Sequence, residues 1–238
     1  MKFIPCPRRP DRGFWIPDAD ITAKQKFGMN ASAWDDDYLP VHQKKQQTEA
    51  LKHVKNFRVA FDLGAHVGYW SMRLSKKFEK VYAFEQVPTN FECLAKNSGG
   101  NVIIHNYALG NEYKSVHVGG NEWSSVKARV GGDSGDKGFK QCACGRIPMV
   151  PLDHFKYDNE LEHIDFMKID CEDYDYYVIL GGEKTIKKHK PVIIVEQVKG
   201  RNGWYGLEPM AAYNLLKDWD YKEVANIDNH DYVMVCDE

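Results

Sequence analysis

The sequence predicts a doubly wound α/β fold: a mostly parallel, Rossmann-like sheet with helices on both faces. Three observations carry this reading. Short apolar runs alternate with segments whose apolar residues recur every three or four positions. Four of those runs end in an acid: Asp62, Glu85, Asp170 and Glu196. A glycine turn, Asp62-x-Gly64-x-x-x-Gly68, joins the first run to the next helical segment. Strands alternating with helices imply parallel βαβ units with right-handed crossovers.

The elements follow in order. Residues 1 to about 40 carry Pro5, Pro7, Pro10 and Pro17 and the acidic run Asp35-Asp36-Asp37, and show no sustained period. They read as an irregular arm with one short helix. Gln43 to Asn56 is polar and helix-favouring and reads as a helix covering the sheet. Residues 1–57 thus form an arm and covering helix, and 58–238 the catalytic-type domain.

Within that domain, RVAFDL (58–63) is the first strand. Val67, Trp70, Leu74 and Phe78 mark a helix with Trp70 in the core. KVYAF (80–84) is the second strand. Pro88 opens a helix with Phe91, Leu94 and Ala95 inward, and NVIIHN (101–106) is the third strand.

Glycines at 119, 120, 131, 132, 135, 138 and 145 make 111–150 a loop-rich insertion with short strands at 116–118 and 147–150. The βα rhythm returns with the strand IDFMKI (164–169), a helix over 174–189 stopped by Pro191, and the strand VIIV (192–195). A helix over 208–219 and a hairpin, 221–225 with 232–235, close the chain.

Composition excludes several function classes. Of 238 residues, 32 are basic and 34 acidic, a formal net charge of -2. Such a balance gives no general field for nucleic acid or anionic membrane. No apolar run reaches the roughly 20 residues of a membrane span, and the first residues lack an apolar core of signal-peptide length. A soluble, cytoplasmic protein is expected. The six cysteines are expected to be reduced thiols. Cys142-x-Cys144, without a second pair, is a poor zinc signature and reads as two thiols in a loop.

In an open parallel sheet, ligands bind outside the carboxyl ends of the strands. The four acids therefore converge on one crevice, although any one of them alone could be a solvated strand end. The glycine turn lets a ligand approach the backbone, and the helix start offers N–H groups to an anion. S-adenosylmethionine matches that chemistry: its carboxylate suits the N–H groups and its ammonium suits Asp62. Glu85, roughly 20 residues on, stands where an acid holds ribose hydroxyls. A nicotinamide fingerprint wants Gly-x-Gly-x-x-Gly; here His66 occupies the place of its second glycine. A pyrophosphate would gain nothing from Asp62.

At these residues the sequence resembles the FkbM-type methyltransferases. The matching runs are VAFDLGAHVGYWS, VYAFEQVPTNFECLAKN, NYALGN, VPLDHF and IDFMKIDCEDYDYYVILGGEKTIKKHKPVIIVE, in family order over 59–196. The resemblance implies a class I methyltransferase fold, with a seven-stranded sheet whose last strand is antiparallel. It also implies O-methylation, often of sugars or secondary metabolites. By matching position, Asp62, Gly64, Ala65, His66 and Gly68 would line the methionine end of the cofactor. Glu85 would take the ribose, and Tyr107 and Ala108 would sit beside the adenine. Ser124 and Ser125 match a small polar loop near cofactor or substrate. Two positions depart from the family pattern: Asp173 stands where glycine follows Asp-x-Glu, and His66 stands where asparagine is usual. His, like Asn, tolerates the left-handed conformation.

Methyl transfer from a sulfonium needs a positioned acceptor and, for a hydroxyl, a base or metal. Asp170 and Glu172 are the leading catalytic candidates, with His66 as a second base. Glu196 could join the two acids around a divalent cation; we do not favour it, since carboxylate clusters commonly lack metal. Trp123 and the loop Asn202 to Gly206 are candidate substrate walls, weighed equally against simple packing. The expected partner is a small-molecule or glycan acceptor. A nicotinamide oxidoreductase and a non-catalytic binder that kept the fold remain the alternatives.

Overall fold

The computed structural model describes residues 1–28, 30–120, 129–131, 140–155, 163–198 and 205–237. The chain begins with an antiparallel hairpin, β1 (Lys2–Cys6) and β2 (Arg9–Ile16). This corrects the expectation of an irregular arm. The prolines hide a period-two pattern in which Ile4, Cys6, Phe14 and Ile16 are buried. Helix α1 (Ile21–Phe27) follows, capped by the Asp20 carboxylate, which accepts the Ala23 N–H at 2.9 Å. With Trp34, these elements bury their apolar side against Val67, Tyr69, Met72 and Cys93. Helix α2 (Lys44–Leu51) covers the sheet as expected.

The central strands come next: β3 (Val59–Leu63), helix α3 (Tyr69–Leu74), β4 (Lys80–Phe84), helix α4 (Pro88–Asn97) and β5 (Val102–His105). Every residue of β3 is buried. That is why its sequence is a continuous apolar run rather than an alternating one, as in sheets covered on both faces. Helix α3 is shorter than its apolar spacing suggests, because Gly68 at φ 96° sets a left-handed N-cap after Val67.

The stretch 111–150 contains the two short strands expected in it, inside longer ones that belong to a second sheet among the described residues. Strands β6 (Ala108–Gly110), β7 (Lys114–Gly120), β8 (Arg129–Gly131) and β9 (Lys140–Pro151) pair in the order β6-β9-β7-β8. Val116, Val118, Ile147 and Met149 are buried on alternate positions of paired strands, a pattern the surrounding glycines mask. Cys142 and Cys144 accordingly lie on a strand, not in a loop.

The main sheet resumes with β10 (Phe166–Ile169). The single helix expected over 174–189 is two, α5 (Asp175–Leu180) and α6 (Glu183–His189). They separate at Gly181-Gly182, where a Cβ on Gly181 would stand 1.9 Å from the Gly110 carbonyl oxygen. Asp153 caps α6 from outside, accepting the N–H groups of Lys184 at 3.0 Å and Thr185 at 2.9 Å. Strand β11 (Val192–Glu196), helix α7 (Ala211–Asp218), β12 (Tyr221–Ile227) and β13 (Asp231–Cys236) complete the chain.

The seven-stranded sheet has the order β12-β13-β11-β10-β3-β4-β5. β13 runs antiparallel to both its neighbours, β11 and β12, and every other pairing in the sheet is parallel. The strand order reverses direction between β3 and β10, so the carboxyl ends of β3, β4 and β10 frame the switch-point crevice.

Candidate active site

The crevice at those strand ends is lined by Gly64, His66, Glu85, Asp170 and Glu172, among others. Its floor is set by Gly64. The residue has φ 79°, and a Cβ there would lie 1.9 Å from the Asp170 carbonyl oxygen. Only glycine lets the turn after β3 lie against the end of β10. His66 follows at φ 53°, the left-handed conformation anticipated for it.

The glycine turn is more self-contained than a free anion cradle. The N–H groups of Gly64 and Ala65 donate to the Phe84 carbonyl at 3.1 and 2.8 Å. The Gly68 N–H donates to the Ala65 carbonyl at 2.8 Å. The His66 N–H donates to Glu85 Oε2 at 2.8 Å. These four donors of the turn itself are spent within the fold.

Glu85 is buried and also accepts the Val87 N–H at 2.8 Å and Asn90 Nδ2 at 3.4 Å, both on Oε1. Burial pushes its carboxyl up to about 7 despite these donors. A carboxylate has about four acceptor positions, so Oε2, with one donor, can take another.

A buried lysine organises the other acids. Lys168 sits on β10 in register with Asp62 on β3. Its Nζ lies 3.7 Å from Asp62 Oδ1 and 3.5 Å from Asp170 Oδ2, and donates to the Gly64 carbonyl at 2.7 Å. Asp62 is fully buried and accepts from Ser71 Oγ at 2.5 Å, while its Oδ1 accepts no hydrogen bond. Burial drives the Asp62 carboxyl upward, against the pull of Lys168. Asp170 resists its own burial, held below the usual range chiefly by Lys168 and by a hydrogen bond with Glu196. Glu196 is pushed up to about 9 by burial and by the charges of Asp170, Asp175 and Glu172. Asp170 and Glu196 therefore share one proton near neutral pH.

That shared proton has a measurable consequence. Between about pH 7.5 and 8.5 the folded protein keeps a proton on Glu196 that the unfolded chain has lost. Glu85 and Asp175, both pushed up to about 7, are ionised in both states there. Stability should then fall as pH rises, by about 1.4 kcal/mol per pH unit for one proton. Urea unfolding of wild type and Glu196→Gln across this window checks it: the variant's slope should be shallower by about that one-proton amount, and equal slopes would refute the shared proton.

Burial holds the His66 imidazole down at about 3, so the ring is neutral around pH 7. Glu172 and Asp173 occupy consecutive left-handed conformations at φ 54° and 68°. Asp173, where the FkbM pattern has glycine, keeps the glycine-type backbone, which Asp adopts more readily than most residues. Among the described residues no cluster of three or more His, Cys, Asp or Glu side chains is arranged to hold a metal ion.

The structure brings Gly64, Ala65, His66, Glu85, Asp170 and Glu172 to one crevice, with Asp62 buried behind Lys168. Tyr107 and Ala108 are not among the residues lining it. Tyr107 is exposed and packs on Phe155, and Ala108 is buried in β6. Ser124, Ser125, Trp123 and residues 202–204 lie outside the described residues. Trp70 is in the core as expected, though it also reaches the crevice wall.

Sequence reasoning missed Lys168, His42, Gln43, Tyr69 and Asn90, all crevice residues. Lys168 had a readable signal, a single cation inside an apolar strand. His42 and Gln43 had none, since they come from the arm.

The family model for the methyltransferase FkbM domain matches residues 62–232. No curated protein matches the chain. Among solved structures, the methyltransferase FkbM from Methylobacillus flagellatus KT is 16% identical with a TM-score of 0.47, over 74% of this chain and 42% of that one. This chain thus spans less than half of that protein. The precorrin-6y C5,15-methyltransferase from Geobacter metallireducens GS-15 is 15% identical with a TM-score of 0.47, over 84% and 94% of the two chains. The N-methyltransferase NodS from Bradyrhizobium japonicum WM9, solved with S-adenosyl-L-homocysteine, is 7% identical with a TM-score of 0.46, over 92% and 97%. The family match begins at the acid that ends β3 and runs into β13, enclosing the strand-end acids, the glycine turn and Lys168. On that match, the chain belongs to the FkbM family of S-adenosylmethionine-dependent methyltransferases.

Proposed function

We propose that the protein transfers a methyl group from S-adenosylmethionine to a hydroxyl of a sugar, glycan or other small molecule. The observation that carries this reading is the Lys168-centred arrangement of Asp62 and Asp170 beside the glycine turn. The crevice chemistry fits the cofactor. Its cationic end suits Asp170 and Glu172, and its ribose diol suits the spare acceptor capacity of Glu85. We assign Asp62, Gly64, Ala65, His66, Gly68, Glu85, Tyr107, Ala108 and Ser125 to the cofactor site, with Gly64 and Gly68 acting through backbone shape.

The bound cofactor supplies an activated methyl group, leaving the protein to position the acceptor and remove its proton. Asp170 is the base. It is ionised at neutral pH, lines the crevice and passes charge into the proton shared with Glu196. Glu172, at the same loop, orients the acceptor hydroxyl. Neutral His66 offers a hydrogen bond rather than strong basicity. We place no metal in the reaction.

We further infer an arm over 1–57, a methyltransferase domain over 58–238, and a cytoplasmic setting without nucleic-acid or membrane partners. No helix among the described residues is long and apolar enough to cross a membrane.

Calorimetric titration with S-adenosylhomocysteine, beside NAD as control, tests the reading. Wild type should bind the first at about micromolar affinity, near 8 kcal/mol, and NAD not at all. Glu85→Ala should weaken binding by at least about tenfold, as expected for losing charge-assisted hydrogen bonds. Binding of NAD alone would overturn the proposal.

A further inference from the structure

We propose that the N-terminal arm completes the cofactor crevice, with His42 as a ligand-contacting residue for the S-adenosyl group; this rests on the cofactor reading above. His42 precedes the residues matched by the family model, 62–232, so membership of the family does not assign it a role.

The geometry is that of a built strap. Residues 34–41 fold back on themselves through a bridge between Trp34 and Pro40. The Val41 N–H donates to the Ala33 carbonyl at 2.7 Å. Asp35, which is buried, accepts the N–H groups of Asp37 at 3.0 Å and Leu39 at 2.9 Å. Its second oxygen pairs with Arg73 on α3. The same guanidinium donates to the Pro40 carbonyl at 2.6 Å and the Leu39 carbonyl at 3.4 Å. One guanidinium thus fastens the strap to the helix that follows the glycine turn.

The strap ends by placing two residues in the crevice wall. Gln43 takes the left-handed conformation at φ 48°, costly for a residue with a long side chain. Its amide oxygen is held by the Trp70 Nε1–H at 2.6 Å. Next to it, the His42 ring lies 4.6 Å from the Tyr69 ring, which is 5.7 Å from the ring of His66. Both imidazoles thus pack near Tyr69, and both line the same crevice as Gly64, Asp170 and Lys168.

His42 is half-buried, and among the described residues its ring nitrogens make no hydrogen bond. Burial and the nearby Lys26 and Lys168 charges hold it at about 4, so it is neutral at pH 7 and can both donate and accept. An imidazole presented to a polar crevice gains its partner when the ligand arrives.

The test is calorimetry of S-adenosylhomocysteine with wild type, His42→Ala, His42→Gln and the exposed strap-side control Lys76→Ala, each checked by thermal melting. Losing one ligand hydrogen bond should weaken binding about tenfold in His42→Ala. His42→Gln, which keeps a donor and an acceptor, should stay within about threefold of wild type, as should Lys76→Ala. If His42→Ala does not fold, amide exchange of the wild type decides: residues 35–44 should slow on addition of S-adenosylhomocysteine together with residues 62–68. Wild-type binding with unchanged affinity in His42→Ala, or with slowing confined to 62–68, overturns this inference and leaves the cofactor reading standing. Failure of the wild type to bind removes both.

Discussion

Replacing Lys168 by methionine should lower the unfolding free energy by about 3–5 kcal/mol, the usual cost of removing one partner from a buried ion pair. Lys168 is 5% exposed and Asp62 is 0% exposed. Two carboxylates, Asp62 and Asp170, lose their nearest cation, and the Gly64 carbonyl loses its 2.7 Å donor. The aliphatic stem is kept, so packing changes little.

The cost should depend on pH. Without the ammonium, burial drives both carboxyls toward protonation. Folding then takes up protons that the unfolded chain lacks above its ordinary carboxylate range. The penalty is accordingly smaller near pH 5 than near pH 8. Adding Asp62→Asn to the variant removes one uncompensated charge and should recover part of the loss, a coupling that a double-mutant cycle isolates. Urea unfolding at both pH values measures all of this. A loss below about 1 kcal/mol at pH 8, the level of an exposed pair, would show that Lys168 is not the keystone of the acid cluster.

Gly64→Ala should be the second large effect. The added methyl meets the Asp170 carbonyl oxygen at 1.9 Å, and the backbone sits at φ 79°. Left-handed strain costs about 1–3 kcal/mol and overpacking a further 1–3 kcal/mol. Relief requires moving β3 away from β10, which also opens the crevice floor. Gly68→Ala offers the comparison. Its φ is 96°, but the nearest atom is a methyl of the Leu94 side chain at 3.0 Å, which can rotate aside. Strain alone should then cost about 1–3 kcal/mol. Unfolding midpoints should fall clearly further for Gly64→Ala, and its S-adenosylhomocysteine affinity should drop with them. Equal losses would show that contact between the turn and β10 is not the constraint.

The central sheet was legible because its physics is local to each run. Strands β3, β4, β10 and β11 are buried on both faces, so each reads as a mostly apolar run with an acid at or just past its carboxyl end. The glycine turn was legible for the same reason: positive φ at Gly64 and Gly68 is a property of the residue type. The terminal hairpin was readable in place, since Asp228 and Asn229 at φ 56° and 59° are turn residues.

Elsewhere local signals misled. Pro5 and Pro10 obscured the alternation of β1 and β2, and the glycines of 111–150 hid the full lengths of β7 and β9, of which only 116–118 and 147–150 were read. Continuous apolar spacing over 174–189 concealed the break at Gly181, whose cause is the Gly110 carbonyl in a different sheet. No sequence window contains that contact.

What the sequence determined by itself, then, is the central parallel strands and the acids and glycine at their carboxyl ends: Asp62, Gly64, Glu85, Asp170 and Glu172. Tertiary structure alone decided which acids share a proton, because the state of Asp170 and Glu196 depends on a distance across two strands. It alone made Lys168 their common counter-ion, since in-register pairing of β10 with β3 sets its nitrogen beside Asp62. And it alone brought His42 to the crevice, through a buried Arg73–Asp35 pair that joins residues 38 positions apart. Electrostatics in a buried site acts through space, and a chain read one window at a time records only its own neighbours.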